Sequence, residues 1–320
     1  MALVELPQPT PAADELVIEV RACGVCGTDL HIYQGEYAEP PIVPGHEFAG
    51  IVVSVGERVE SFRPGDRVAV EPNIACNQCE MCLSGRSNFC ERWEAVGVTR
   101  QGAMAEYVSV PERAAFEIEP LAFEQALFME PLSCVIHGIE RAQINLADRV
   151  LIIGAGPIGI LLLQSCRVVG ASRIDVVDKQ ERRLHHAERN GACEISSEFI
   201  TRKEESYDVV IDATGAPEAL EQSVRYLRPG GRLLWFGVPP AHAEVTLNPF
   251  TLFRKELTLL SSFTSVRNSL QALRMLQCNR ISVAGLVSDH VALPDVGDLF
   301  AGYGSHSGDR MKAVVVPQQA

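Results

Sequence analysis

Val150-Leu151-Ile152-Ile153-Gly154-Ala155-Gly156-Pro157-Ile158-Gly159 decides the fold of the second half of this chain. The four apolar residues that open it leave no polar position to face water, as in a parallel strand buried on both faces. Glycines follow at once in the pattern G-x-G-x-x-G, and a helical stretch opening at Pro157 and Ile158 runs to about Val169. Gly154 permits a tight turn, Gly156 lets a pyrophosphate approach the backbone, and Gly159 lets the helix lie against the strand. The helix N-terminus adds N–H donors and a positive dipole end. Such glycines alone are a weak sign, but the context here is right. A strand precedes them, a helix follows, and the next strand, Ile174 to Val177, ends in Asp178. That acid stands where a carboxylate bonds the adenosine ribose of a dinucleotide. It repels a 2′-phosphate, which favours NAD over NADP. Lys179, Arg182 and Arg183 set cations beside it, and Arg183 is a further contact candidate.

The alternation of strand and helix continues. Tyr207 to Asp212 reads as a strand, and Pro217 to Leu227 as a helix ending at Arg228-Pro229-Gly230-Gly231. Arg232 to Phe236 is the next strand and Leu257 to Phe263 the last of this domain. Strand ends at the carboxyl edge of such a sheet line the cofactor crevice, so Thr214, Gly215, Gly237 and Val238 are contact candidates. Leu270 to Leu276 is helical, and Met311 to Val316 is a closing strand expected to return to the first domain.

Before Arg149 the pattern is different. Leu16 to Val20, Phe48 to Val55, Arg67 to Val70 and Ala105 to Val108 are short strands between Gly/Pro turns, which predicts a compact, barrel-like β module. Two loops in it carry chemistry. Cys23-Gly24-Val25-Cys26-Gly27-Thr28-Asp29-Leu30-His31 packs a thiolate, a hydroxyl and an imidazole together, and Gly45-His46-Glu47 adds an imidazole beside a carboxylate. Zinc takes Cys, His and Glu ligands, and a catalytic zinc keeps one position open. Ala122 to Ile139 has helical character. Pro131 is tolerated in a first helical turn, which leaves Glu130 at the entrance, either facing those two loops or serving only as a cap to the helix dipole.

Cys76, Cys79, Cys82 and Cys90 follow the spacing C-x2-C-x2-C-x7-C. Thiolates this close surround one tetrahedral zinc, and four protein ligands leave no room for substrate, so the site is structural. An iron–sulfur cluster is the chemical alternative. Disulfides fit poorly, because cysteines three residues apart bridge with difficulty.

The bulk figures bound the rest. A chain of 320 residues suggests two domains at roughly 150 residues each. A net charge of −13 speaks against nucleic acid, whose phosphates need a basic face. No apolar run is long enough to span a bilayer, and the N-terminus lacks the basic-then-apolar pattern of a secretory signal. The ten cysteines are therefore read as reduced, metal-binding and cytoplasmic.

Taken together, these residues resemble the zinc-dependent medium-chain alcohol dehydrogenases, nearest the polyol (sorbitol-type) and threonine dehydrogenase branch. The resemblance covers essentially the whole chain. It rests on Cys26 to His31, Gly45-His46-Glu47, the four-cysteine lobe, Glu130-Pro131-Leu132-Ser133, the Gly154 to Gly159 turn, Asn248-Pro249-Phe250 and Arg254-Lys255-Glu256-Leu257. It implies a GroES-like catalytic domain over residues 1–137 with the structural-zinc lobe at about 72–95, a Rossmann domain over 138–264, and a return to the catalytic domain over 265–320. The active site is then expected in the cleft between domains. Cys26 and His46 match catalytic zinc ligands. Glu47 either binds the zinc or stands just behind it. Glu130 lies where simple alcohol dehydrogenases have a second cysteine and, as in the polyol branch, acts as ligand or through water. Thr28 is placed to accept the substrate hydroxyl proton, and His31 resembles the family's outlet to solvent through the cofactor ribose. The resemblance also implies a homotetramer or homodimer. One departure is the N-terminus, which falls at what looks like the end of the family's first strand, with Leu3 to Leu6 its remnant. Another is the Gly- and Ser-rich stretch from Ala301 to Asp309, which has no counterpart to place it by.

The function expected is oxidation of a secondary alcohol, a polyol or sugar alcohol, with zinc and NAD. L-Threonine or another amino alcohol is the alternative substrate, and a catalytically silent NAD-binding protein the alternative of another class.

Overall fold

The computed structural model describes residues 1–199, 203–306 and 310–317. The chain forms two units: residues Met1–Ser133 with Ser265–Ala320, and residues Cys134–Thr264.

The first unit starts with β1 (Glu15–Gly24), α1 (Gly27–Tyr33), β2 (Glu47–Val55) and β3 (Arg67–Val70). A lobe follows with β4 (Asn73–Ile74), α2 (Glu80–Leu83) and β5 (Glu94–Ala95), then β6 (Tyr107–Pro111), β7 (Ala115–Glu117) and α3 (Phe123–Ala126). Helix α4 (Met129–Ala142) leads into the second unit. That unit holds β8 (Arg149–Ile153), α5 (Pro157–Val169), β9 (Arg173–Val177), α6 (Glu181–Arg189) and β10 (Glu194–Ser196). It continues with β11 (Tyr207–Asp212), α7 (Pro217–Tyr226), β12 (Leu227–Trp235), α8 (Pro249–Lys255) and β13 (Thr258–Ser261). The chain then returns to the first unit with α9 (Ser269–Gln277), β14 (Val287–Ala292), α10 (Val296–His306) and β15 (Lys312–Val316).

The first unit is built on a seven-stranded sheet in the order β14-β15-β1-β2-β3-β7, with β6 also on β1. β1 serves two partners along one edge. Glu15 to Glu19 pair with β6, and Cys23 and Gly24 pair with β15. Its other edge pairs with β2 through irregularities at Val17/Ile18 and Val20/Ala22, the kind of bulge that bends a strand. Alternate residues Leu16, Ile18 and Val20 enter one core with Phe48, Val68, Val110, Val315 and Phe300. The expected barrel is corrected here: among the described residues the pairings form an open path whose end strands, β14 and β7, do not pair. β6 also begins later than expected, at Tyr107, where pairing with Glu19 starts. Leu3 to Leu6 form no strand and lie exposed. The stretch from Ala301 enters α10, and residues 307–309 lie outside the described residues.

The second unit is a six-stranded parallel sheet in the order β10-β9-β8-β11-β12-β13. Counted from β8, that is the doubly wound order 3-2-1-4-5-6. Val150, Ile152, Val209, Val210 and Ile211 are wholly buried, which is why these strands read as unbroken apolar runs. One local expectation changes. α7 ends at Tyr226, and Leu227 already pairs with Tyr207; the next pair is Arg232 with Val209. Arg228 to Gly231 therefore loop out within β12, with Gly230 in the left-handed region at φ 76°.

Candidate active site and nucleotide site

The β1–β2 register assembles the first constellation. Gly24 pairs with Glu47 and Cys23 with Phe48, so Cys26, just beyond β1, and His46, just before β2, leave the sheet at the same end. Ligand atoms of Cys26, His46 and Glu47 all lie within 4.8 Å of one another. Gly24 leaves room for the Glu47 carboxylate: a Cβ there would sit 2.5 Å from Glu47 Oε2. Gly45 turns the chain at φ 97°, against a region that side chains avoid.

Cys26 to His31 is not the loop expected from sequence. Cys26 is the N-cap of α1, so Thr28, Asp29 and His31 are helical. The helix forms because Asp29, at the third position, accepts the Cys26 N–H at 2.9 Å. Asp29 is fully buried and does two further things. Its other oxygen accepts Gly45 N–H at 3.1 Å and lies 3.4 Å from His46 Nδ1. Asp29 thus ties both metal-donor segments together. Burial works against a charged His46, yet the Asp29 carboxylate and then the Cys26 sulfur overcome it and raise the imidazole pKa well above its ordinary value. This is a buried place that favours positive charge, and the Cys, His and carboxylate donors suit zinc.

Glu47 is held from behind. Lys312 Nζ, on β15, donates to its two oxygens at 2.8 and 2.6 Å and to Val25 O at 3.1 Å. Both side chains are at least 95% buried. Thr28 Oγ1 lies 3.8 Å from Cys26 Sγ. Glu130 is buried on the first turn of α4 but is not among the donors within 4.8 Å of one another. Cys23 is not among those donors either; burial first, then the Asp29 and Glu47 carboxylates, push its thiol pKa well above the ordinary value.

The second constellation is the lobe. Cys76, Cys79, Cys82 and Cys90 also bring their sulfurs within 4.8 Å of one another. Separations of 3.9, 3.5 and 3.9 Å join Cys76 to Cys82, Cys79 to Cys82 and Cys79 to Cys90. A tetrahedron with metal–sulfur bonds of ~2.3 Å has edges of about 3.8 Å, so the set fits one zinc. Backbone N–H groups of Gln78 and Cys79 point at Cys76 Sγ and pull that thiol down to about 6. All ten cysteines are free thiols.

The third constellation lies at the carboxyl ends of β8, β9, β11 and β12. Gly154 turns at φ 102° and donates to Val177 O at 2.7 Å. Asp178 accepts Ala155 N–H and Gln180 N–H, each at 2.7 Å, fixing the glycine turn to the end of β9. A Cβ on Gly159 would fall 1.9 Å from Gly154 O, while one on Gly156 would meet only open space. Gly156 is the N-cap of α5 and Pro157 its first residue, with Ile158 next. The free space over Gly156 is the cradle a pyrophosphate needs. Thr214 packs beside Gly154, and Gly237 is pressed against Gly215 N, where a Cβ would lie 2.2 Å away. Val238 is exposed just beyond and Arg183 sits on the first turn of α6. Buried Asp212 accepts from Thr214 N and Oγ1 and from Gly215 N and so shapes this rim.

Asp29, Lys312 and Asp212 are thus organising residues that sequence reasoning passed over. The signals were there: an acid three residues after Cys26, a lone lysine in the apolar run Met311 to Val316, and an acid closing the apolar run from Val209.

Residues 12–120 match the alcohol dehydrogenase GroES-like domain, and residues 157–277 match the zinc-binding dehydrogenase family. D-arabinitol dehydrogenase 1 of Uromyces fabae is 34% identical over 300 residues, 90% of this chain and 86% of that protein. The chain belongs to the zinc-binding alcohol dehydrogenases. D-altritol 5-dehydrogenase of Agrobacterium fabrum is also 34% identical, over 93% of this chain and 91% of its own length. Among solved structures, a zinc-binding dehydrogenase of Sinorhizobium meliloti bound to NADP superposes with a TM-score of 0.94 at 33% identity, covering 99% of this chain and 96% of that one. This zinc-binding dehydrogenase is thus an oxidoreductase of the alcohol dehydrogenase type. No helix among the described residues is long and apolar enough to cross a membrane.

Proposed function

We propose that this dehydrogenase oxidises a secondary alcohol of a polyol or sugar alcohol to the ketone, with NAD as hydride acceptor. The observation that carries this reading is the close set of Cys26, His46 and Glu47 donors, with Thr28 beside Cys26. Zinc held there would supply the Lewis acidity to acidify a substrate hydroxyl, and a bound nicotinamide would supply the hydride acceptor. Cys26 and His46 are its ligands. Glu47, engaged by Lys312 through both oxygens, would add its charge to that donor set, and Glu130 would act through water. Thr28 accepts the hydroxyl proton and His31 passes it outward. Cys76, Cys79, Cys82 and Cys90 hold a structural zinc.

Gly154, Gly156, Pro157, Ile158 and Gly159 take the pyrophosphate, with Thr214, Gly237, Val238 and Arg183 around the remainder. Asp178 favours NAD, because its carboxylate, fixed by Ala155 and Gln180, would meet a 2′-phosphate with like charge. The polyol is suggested by D-arabinitol and D-altritol dehydrogenases, each alike over nine-tenths of the chain. A cytoplasmic homodimer or homotetramer is the expected form.

The test is NAD(P)H formation by zinc-loaded protein across polyols, L-threonine and simple alcohols, with each cofactor. Turnover of a polyol with NAD, abolished by chelation, is the expected result. Turnover confined to L-threonine would replace the substrate class, and silence across the panel with both zinc sites filled would favour a non-catalytic nucleotide binder.

A further inference from the structure

Helix α1 ends in a tight turn that brings Glu36 back to His31. After Tyr33 come Gln34 as C-cap and Gly35 at φ 90°. Gly35 N–H donates to Ile32 O at 3.0 Å, and Glu36 N–H donates to His31 O at 2.8 Å. These two bonds are the Schellman arrangement, which folds the residue after the glycine back over the helix residue five before it. That geometry sets Glu36 directly against His31. Glu36 Oε2 lies 2.8 Å from His31 Nδ1. The next residue, Tyr37, is itself left-handed at φ 65° and presents its ring to the imidazole edge-on, with centroids 5.2 Å apart and planes at 77°. Both members of the pair are largely shielded, at 18% and 30% exposure. His31 Nε2 has no hydrogen-bond partner among the described residues.

We propose that Glu36 is a positioning residue for His31. An ionised carboxylate accepts and cannot donate, so the imidazole nitrogen facing it must carry a proton. Nδ1–H is thereby fixed, and Nε2 is left with its lone pair as the proton acceptor. Tyr37 blocks rotation of the ring. The proton released by the substrate hydroxyl arrives at Nε2, the ring becomes imidazolium beside the carboxylate, and Nε2 then yields that same proton to solvent. Glu36 itself neither gains nor loses one. This inference rests on the reading of His31 as the proton outlet.

The experiment uses zinc-loaded protein labelled with ¹⁵N at histidine, as wild type and as Glu36→Ala, Glu36→Asp and His31→Ala. ¹⁵N shifts, assigned to His31 by the signal missing in His31→Ala, report which nitrogen is protonated in the neutral ring. Expected are Nδ1–H in wild type, a shift to Nε2–H in Glu36→Ala, and partial recovery in Glu36→Asp. In the same order kcat for the alcohol should fall about 10- to 100-fold and partly recover, the usual range for a residue that orients an imidazole. KM should hold. An unchanged tautomer in Glu36→Ala overturns the proposal. So does a changed tautomer with full kcat while His31→Ala is inactive. If His31→Ala keeps full turnover, the outlet reading itself has failed, and the tautomer result then reports on the Glu36–His31 contact alone.

Discussion

Asp29 holds two of the proposed metal donors in place without being one itself. Its carboxylate collects the N–H of Cys26, the N–H of Gly45 and the Nδ1 side of His46. Asp29→Asn keeps the size and removes the charge, so zinc affinity at this centre should fall about 10- to 100-fold, read by competition with a chelator. Lys312 does the corresponding work for Glu47. Lys312→Met leaves a carboxylate buried without its cation, a loss of about 3–5 kcal/mol in denaturant unfolding. Adding Glu47→Gln to that variant should restore much of the stability; a double variant as weak as the single one would sink the account. That Cys26 and His46 belong together was legible in the sequence, because thiolate and imidazole are donor types that zinc takes, and the fold does bring them together. Asp29 and Lys312 were not, since their roles depend on partners that only the fold supplies. Lys312 and Glu47 are 265 residues apart in sequence.

At the scale of elements, the glycine turn was legible because everything it does is local. Strand, turn and helix are contiguous, and each glycine answers a clash or an angle a few residues away. The four-cysteine lobe was legible for the same reason. It has little regular structure of its own beyond the pair β4–β5, the short α2 and a 3-10 turn at Ser87–Phe89, so a metal on its four sulfurs would set much of its shape. Cys79→Ser should therefore halve the zinc content and lower the melting temperature, while an unchanged melting curve would remove the structural role. The division of one edge of β1 between β6 and β15 could not be read, because it is a long-range choice among strands that look alike. Nor could the Arg228 to Gly231 loop be read, since a Pro-Gly-Gly run signals a turn whether it lies before a strand or inside one.

At the scale of the molecule, metal donors and nucleotide cradle belong to different units of the chain. Cys26 and His46 lie in the first, and Gly154 to Gly159 with Asp178 in the second. Loss of the metal ligands should then leave the nucleotide site intact. Cys26→Ser or His46→Ala should bring turnover to background while NADH binding, followed by fluorescence, keeps its dissociation constant. Equal turnover in either variant would remove the metal assignment, and lost NADH binding would show that the nucleotide site depends on the metal donors.

The return of the chain to β1 through β15 also has a consequence for biosynthesis. Glu47 is made early, and the cation that neutralises it is the 312th residue. At 5–20 residues per second, roughly 13–50 s of translation separates the two. Throughout that interval the nascent first strands hold an acid with no counter-charge, however complete the rest of the hairpin. The charge balance around Glu47 should accordingly be reached only once β15 has been made and has paired with β1, and a change that removes Lys312 should be felt first at the far end of the sequence, around Glu47.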